Sequence, residues 1–388
     1  MTRITADWIA VPATQAVCAA ITNGGAQALF VGGCVRNTLM GVPVSDIDIA
    51  TDAEPETVMQ LARAAGIKAI PTGFDHGTVT LVQDGMPHEI TTFRKDVATD
   101  GRRATVAFST RIEEDAARRD FTMNAIYARP DGTVVDPLDG MGDLLTRRVR
   151  FIGAASDRIT EDYLRSLRYF RFHAWYGDAQ AGFDPDALAA IASNLDGLAQ
   201  LSHERVGAEL LKLLAAPDPA PSLAAMRSTG ALGQVLAGGD DRALAPLVHL
   251  EGQADARPDP LRRLAVLGGV DVADALRLSR AQSTRLDRMR NGVSEPLSPA
   301  ELGYRLKTQT ARDVLLLRCA LLEQPWDDTA LVAAETGANA TFPVKAKDLM
   351  PAFQGPELGA KLAALETNWI ASGFTLSRAD LLSDIAQG

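Results

Sequence analysis

The sequence has little of what several protein classes depend on. It contains three cysteines, Cys18, Cys34 and Cys319, odd in number and far apart. They give neither a disulfide framework nor zinc spacing, and read as small buried apolar side chains in a reducing cytoplasm. The five histidines form no HExxH motif and no facing pair. The strongest apolar run, Val314–Leu322, is interrupted by Arg318 and is too short to span a bilayer, so no membrane role is expected. The first 20 residues show no basic segment followed by an apolar stretch, so no signal peptide is expected. Aromatic residues make up only 5% of the chain, so stacking on splayed-out bases is not the evident mode of nucleic-acid contact. Positive charge is also short. The 39 Lys+Arg face 49 Asp+Glu, a net charge of −10 that argues against a bulk polyanion coat but not against a local basic groove.

What is present is an ordinary globular composition, 46% hydrophobic and 23% charged over 388 residues, enough for two or three domains. The first 150 residues mix periods. Ala28–Val31 is a short apolar run ending in Gly32-Gly33, followed by a helical pattern to Met40 and then Gly41. Ser45–Ala50 alternates as a half-buried strand does, and Glu54–Ala65 reads as a helix with Pro55 near its start and Gly66 past its end. Thr78–Val82 and His88–Phe93 flank Asp84-Gly85, a hairpin signal. From about Thr160 onward helical periodicity is almost unbroken. An α/β head followed by segregated helices predicts an α+β fold.

Asp46 and Asp48 lie two apart in the predicted strand, so period 2 places both carboxylates on one face and Ile47 and Ile49 on the other. Two such carboxylates repel and call for a cation. Mg²⁺ suits them, since it binds one or two carboxylates plus substrate phosphates. Glu89, on the second strand of the hairpin, is a third acid that adjacent strands bring near them, giving three carboxylates for two metals. A second Asp-x-Asp, Asp184-Pro185-Asp186, reads as a turn. Gly32-Gly33 ends a strand and opens a helix. Its backbone N–H groups can approach phosphates, and Arg36 one turn later can pair with phosphate oxygens. The spacing is neither GxxxxGK[ST] nor GxGxxG.

Taken together, Leu29–Asn37 (LFVGGCVRN), Gly41 and Asp46–Thr51 (DIDIAT) resemble the nucleotidyltransferase signature of bacterial class II CCA-adding enzymes and poly(A) polymerases. Further motifs follow in that family's order. They are Arg118–Ala125 (RRDFTMNA), Asp136–Gly140 (DPLDG), Glu161–Arg168 (EDYLRSLR) and a weaker Ser202–Glu209. The resemblance covers roughly residues 25–215. It implies a polymerase-β-like head, then a helical neck, body and tail, divided here as 1–140, 141–215 and 216–388. It also implies nucleotidyl transfer to the 3′-OH of tRNA from CTP and ATP, with two Mg²⁺ ions held by Asp46 and Asp48. Glu89 resembles the third carboxylate, and Gly32, Gly33 and Arg36 would hold the triphosphate. The usual residue of the family at position 37 is Asp; this chain has Asn37, which changes the support of Arg36.

Asp120 and Asn124 are spaced i, i+4 and would share a helix face. There they read ribose hydroxyls with Arg119 in support, and Asp120 also suits an N-cap. Thr160 is expected to cap a helix whose apolar side is Leu164, Leu167 and Phe170. Asp162 and Arg165, at i, i+3, are then either an intrahelical ion pair or a base-reading edge. The resemblance assigns them, with Arg168, to the base. It also matches the polar stretch Arg94–Arg118, around Asp100-Gly101-Arg102-Arg103, to a flexible loop whose retention accompanies addition of the terminal A. The chain has no His-Asp dipeptide, and so no sign of an appended phosphohydrolase domain.

Charge by segment locates an RNA surface. Residues 1–93 are net −5, residues 94–171 net +2 and the remainder net −7. Arg277, Arg280, Arg285, Arg288 and Arg290 crowd a short stretch that is either a phosphate-tracking stripe or a solvated helix face. Shape and backbone recognition of a folded RNA fits the scarcity of aromatics. The reading is CCA addition to tRNA by a cytoplasmic enzyme, with no protein partner indicated. A poly(A) polymerase or an A-only adding enzyme is the alternative, and a non-catalytic RNA binder is disfavoured by the retained Asp46, Asp48 and Glu89.

Overall fold

A computed structural model describes residues 2–100 and 103–386, with side chains outside 96–106 and 384–386. Nine strands are described: β1 (Leu29–Val31), β2 (Asp48–Thr51), β3 (Lys68–Gly73), β4 (Thr78–Gln83), β5 (Met86–Thr92), β6 (Arg94–Asp100), β7 (Arg103–Phe108), β8 (Tyr127–Ala128) and β9 (Val134–Val135). Seven form a mixed sheet of order β3-β4-β5-β2-β1-β8-β9. The β4–β5 hairpin turns at Asp84-Gly85, both in the left-handed region at φ 50° and 78°, as a tight hairpin requires. The helices Pro12–Thr22 and Pro55–Ala64 pack against β3–β5 and cover that part of the sheet.

The strand carrying the aspartates is shorter than its alternation predicts. It begins at Asp48, and Ser45, Asp46 and Ile47 run in irregular backbone before it. The cause is the neighbour. β1 pairs Leu29 with Ala50 and Phe30 with Ile49, then Gly32 turns the chain away at φ 71°, so residues 45–47 have no partner on that side. On the other side Glu89 N–H reaches back to the carbonyl of Ile47 at 3.2 Å.

Three further expectations are corrected. The Arg94–Arg118 stretch is a β6–β7 ribbon followed by the helix Ile112–Ala117, not an open loop. Gly101 and Arg102 of that stretch lie outside the described residues. Asp120–Asn124 is not helical throughout; only Thr122–Asn124 forms a 3₁₀ turn. The helix expected from Thr160 is two helices, Ala155–Glu161 and Leu164–Tyr176, broken at Asp162. There the carboxylate accepts from Leu164 N–H at 3.1 Å, the local competition with helix bonding that makes Asp a cap rather than an interior residue. Asp184 caps the helix Pro185–Ser193 in the same manner.

The chain forms two compact units, one running to Val235 and one beginning at Leu236. In the first, Phe121 and Phe151 meet Tyr169 and Phe172 of the helix Leu164–Tyr176, with ring centroids 4.8–5.5 Å apart in the closest pairs. This aromatic cluster fixes that helix against the sheet-bearing half of the unit. The second unit is helical and has an ionic core. Arg262 and Arg263, each 1% exposed, share Glu251, and Arg262 also pairs with Asp313 at 2.8 Å. Among the described residues no helix is long and apolar enough to cross a membrane.

Candidate active site

Asp48 opens β2, and the parallel pairing of β2 with β5 sets Glu89 directly opposite it. Asp46 lies two residues earlier, exposed, its carboxylate accepting from the Ser45 hydroxyl at 2.8 Å. Half-buried Asp48 is pushed up from 3.8 to about 6, first by burial, then by the charges of Glu89 and Asp46, with Arg119 opposing them. The three carboxylates are brought to one cavity. Among the described residues no three acidic, imidazole or thiol groups converge as ligands. The donor set that fits an Mg²⁺ ion is therefore the two aspartates, completed by phosphate oxygens of a substrate. The raised pKa of Asp48 is the mark of negative charge that a cation would relieve.

Beside the aspartates, Gly32 links β1 to the helix Gly33–Leu39 with φ 71° and ψ −125°, a conformation suited to glycine. A Cβ at Gly32 would sit 3.9 Å from Arg119 Nη1 and 4.0 Å from Asp48 Oδ2, narrowing the passage between the two charges. Arg36, one turn into that helix, is 6% exposed. It donates to Asn37 Oδ1 from Nε at 3.2 Å and Nη2 at 2.8 Å, to the Tyr176 hydroxyl at 2.8 Å, and to Asn124 Oδ1. Its guanidinium lies 4.0 Å from the Tyr176 ring centroid. Every one of those bonded oxygens is neutral, and burial lowers the pKa of Arg36. A buried cation caged by neutral acceptors is built to receive an anion. Asn37 answers the question its identity raised. Its Oδ1 supports Arg36, and its Nδ2 donates to Pro43 O at 2.9 Å, tying Arg36 to the loop that carries Asp46.

The second motif converges on the same cleft. Asn124 Nδ2 donates to Asp120 Oδ1 at 2.9 Å, so the pair meets as expected, but through the 3₁₀ turn. Arg168 grips Asp120 Oδ2 at 2.5 Å. Burial would raise Asp120, yet Arg168 and the Asn124 amide hold it below the usual carboxylate range. Arg119 pairs with Asp115 at 2.9 Å and bonds to the Tyr127 hydroxyl. Asp162 and Arg165 do not pair with each other. Asp162 takes Arg205 at 2.7 Å, while Arg165 takes Glu161 and donates to the carbonyls of Arg158 and Arg118. Arg119, Asp120, Asn124, Asp162, Arg165, Arg168 and Arg205 border one cleft of about 440 Å³ together with Arg36, Gly32, Gly33 and Asp48.

Three supports escaped the sequence reading. Asp115, 1% exposed, braces both Arg118 and Arg119, and its i, i+3 and i, i+4 spacing was the available signal. Arg205 sits in the weak fifth motif. Tyr176 had no signal short of the fold itself. In the second unit three arginines of the stripe meet at one groove. Arg280, Thr284, Arg285 and Arg288 border an exposed groove on the helix Arg280–Ser294. Arg285, on the same groove, also pairs with Asp259 and Asp313, each at 2.7 Å, and Arg290 donates to Gly268 O. Arg277 precedes the helix and is exposed.

A glycine turn, a caged arginine and paired aspartates at a strand end are the parts of a metal-assisted phosphoryl-transfer site on a mixed-sheet head. Residues 28–150 match the family model described as the poly A polymerase head domain, and 182–241 that of a probable RNA and SrmB-binding site of polymerase A. The chain is 35% identical to the Mus musculus mitochondrial CCA tRNA nucleotidyltransferase 1, over 92% of this chain and 86% of that one. It is 43% identical to the Geobacillus stearothermophilus CCA-adding enzyme, over 53% and 50%. Its structure matches the Bacillus stearothermophilus CCA-adding enzyme solved in complex with CTP at TM-score 0.73 and 28% identity, covering 93% of this chain and 92% of that one. The Thermotoga maritima CCA-adding enzyme solved with tRNA shares the fold at TM-score 0.72 and 17% identity, covering 100% of this chain and 98% of that one. The chain belongs to the class II CCA-adding enzyme and poly(A) polymerase family of nucleotidyltransferases.

Proposed function

We propose that this chain adds C, C and A to tRNA 3′ ends from CTP and ATP, releasing pyrophosphate. The observation that carries the reading is the pairing of opposite needs in one cleft: Asp48 raised to about 6, and Arg36 buried among neutral acceptors. A nucleoside triphosphate with its cation satisfies both at once. Gly32, Gly33 and Arg36 hold the triphosphate, and Asp120 and Asn124 read the ribose, with Arg119 braced by Asp115 to support it. When bound at Asp46 and Asp48, two Mg²⁺ ions would lower the pKa of the RNA 3′-OH and stabilise charge on the α-phosphate and pyrophosphate. Glu89 holds negative potential beside Asp48.

Asp162, Arg165 and Arg168 present the base-reading edge. A carboxylate accepts from an exocyclic amine and a guanidinium donates to a ring nitrogen or carbonyl, which serves cytosine and adenine alike. Functionally we divide the chain into head (1–140), neck (141–215) and RNA-binding body and tail (216–388), with Arg277, Arg280, Arg285 and Arg288 meeting the RNA backbone. Its place is the reducing cytoplasm, which the burial of Cys18 and Cys34 as free thiols suits. The mouse relative is named mitochondrial.

The test is incorporation of each labelled NTP on tRNA transcripts ending before CCA, after C and after CC. Two CTP additions followed by one ATP are expected. ATP added only to the CC end would make it an A-adding enzyme, and unlimited ATP on unrelated RNA a poly(A) polymerase. Asp162→Ala should transfer nucleotides with the choice between CTP and ATP lost; unchanged order in that variant would overturn the base-reading assignment.

A further inference from the structure

A second cavity, of about 700 Å³, lies in the first unit and shares only Asp48 with the arginine-lined cleft. The two differ in chemistry. Seven arginines border the first cleft. Among the described residues the second has no basic one; it is bordered by Asp46, Asp48 and Glu89 on one side and by Trp8, Val44, Met86 and Pro87 among the rest. The cavity does not suit a triphosphate, because no cation among the described residues borders it. Displacement at the α-phosphorus proceeds in line, with the attacking oxygen opposite the departing pyrophosphate. Pyrophosphate belongs to the arginine side of Asp48, so the attacking 3′-OH belongs to the other.

We infer that this second cavity seats the last nucleotide of the RNA acceptor, held through its sugar and base by Trp8, Val44, Met86 and Pro87 rather than through its phosphates. The inference rests on the nucleotidyl-transfer reading above. The platform is preset. Trp8 Nε1 donates to Thr38 Oγ1 at 2.9 Å, and its ring meets Phe30 edge-on at 4.9 Å, so the indole is anchored to the helix that carries Arg36. Val44 follows Pro43, whose carbonyl accepts from Asn37. The nucleotide side and the acceptor side are thereby referenced to the same helix, Gly33–Leu39. Trp8, Val44, Met86 and Pro87 are positioning residues: they set where the 3′-OH stands relative to Asp48 and take no part in the chemistry.

The experiment has two arms on the full chain. In the first, Trp8→Ala and Pro87→Asp are assayed for CTP addition to tRNA lacking CCA, at 50 and 200 mM KCl. Stacking of one base on an aromatic side chain predicts a rise in KM for tRNA of about 5- to 100-fold for Trp8→Ala. KM for CTP should stay within about twofold, and the Trp8→Ala ratio should not change with salt, because no phosphate contact is lost. Pro87 is exposed, so Pro87→Asp reports the same cavity without disturbing the Phe30 contact. A rise in KM for CTP with KM for tRNA unchanged, or no change in either, overturns the inference. In the second arm, tRNA whose last nucleotide is 4-thiouridine is irradiated on the wild-type chain. Crosslinks are expected on peptides containing Trp8 or Met86; crosslinks on those containing Arg165 or Arg168, or none, overturn it. Absence of CTP addition by the wild type would instead defeat the functional reading, and the crosslink would still locate the RNA end.

Discussion

Replacing Asp48 with asparagine should stabilise the ligand-free protein while abolishing its activity. Asp48 is raised from 3.8 to about 6 by burial and by Glu89 and Asp46. An acid whose folded-state pKa exceeds its unfolded value binds more protons when folded, so stability falls as pH rises from about 4 to about 6 and stays lowered above that. The rise corresponds to about 3 kcal/mol at most, and solvent at this half-buried site reduces it, so a gain of about 1–3 kcal/mol is expected for Asp48→Asn at pH 7.5. For a unit of this size each kcal/mol moves the midpoint by about 2–4 °C. The assay is thermal unfolding in EDTA at pH 7.5 and again near pH 4. The variant should melt several degrees above wild type at pH 7.5, and the gap should close near pH 4, where wild-type Asp48 is itself protonated. Adding Mg²⁺ with CTP should raise the wild-type midpoint and leave the variant's unchanged. A variant that melts at or below wild type at pH 7.5 would refute the claim that Asp48 carries unrelieved charge.

Three further outcomes are expected. Asp115→Asn leaves Arg118 and Arg119 short of their partner and should cost about 3–5 kcal/mol. Burial would raise Asp115, but Arg119, Arg118 and the Tyr127 hydroxyl carry it down to about 2, so its contribution holds above about pH 4 and is lost toward pH 2, readable by acid titration of the melting midpoint. In the second unit Asp313→Asn strips a carboxylate from buried Arg262 and from Arg285, and should likewise destabilise that unit by about 3–5 kcal/mol in a denaturant melt. Arg280→Glu with Arg288→Glu should weaken tRNA binding at all sequences and lower the slope of log K against log salt by about 2, as filter binding across salt concentrations will read.

Much of the site was legible before the fold, for reasons that are local. Alternation placed Glu89 on a strand next to the aspartates, and the β2–β5 register puts it opposite Asp48. Asp84-Gly85 is the hairpin turn its residue types require, and Pro55 opens the helix it was expected to open. The misreadings arose where a short-range pattern met a long-range contact. Asp162 and Arg165 have helical spacing, but Asp162 bonds backbone at a break and its charge answers to Arg205, 43 residues away. Asp46 alternates with its neighbours, yet β1 ends before it, so it stands in loop. Arg285 reads as one more basic residue in a run, and its pairing with Asp259 and Asp313 from elsewhere in the chain carried no local signal.

The central claim is that one cleft, with Arg36 on the phosphates and Asp162 with Arg165 on the base, chooses C twice and A once. The most direct measurement is 3′-end sequencing of tRNA lacking CCA after incubation with the wild-type protein, Mg²⁺ and all four NTPs at equal concentration. The account predicts ends that stop at CCA with neither G nor U incorporated. A run of adenosines, or ends extended by all four nucleotides, would contradict it.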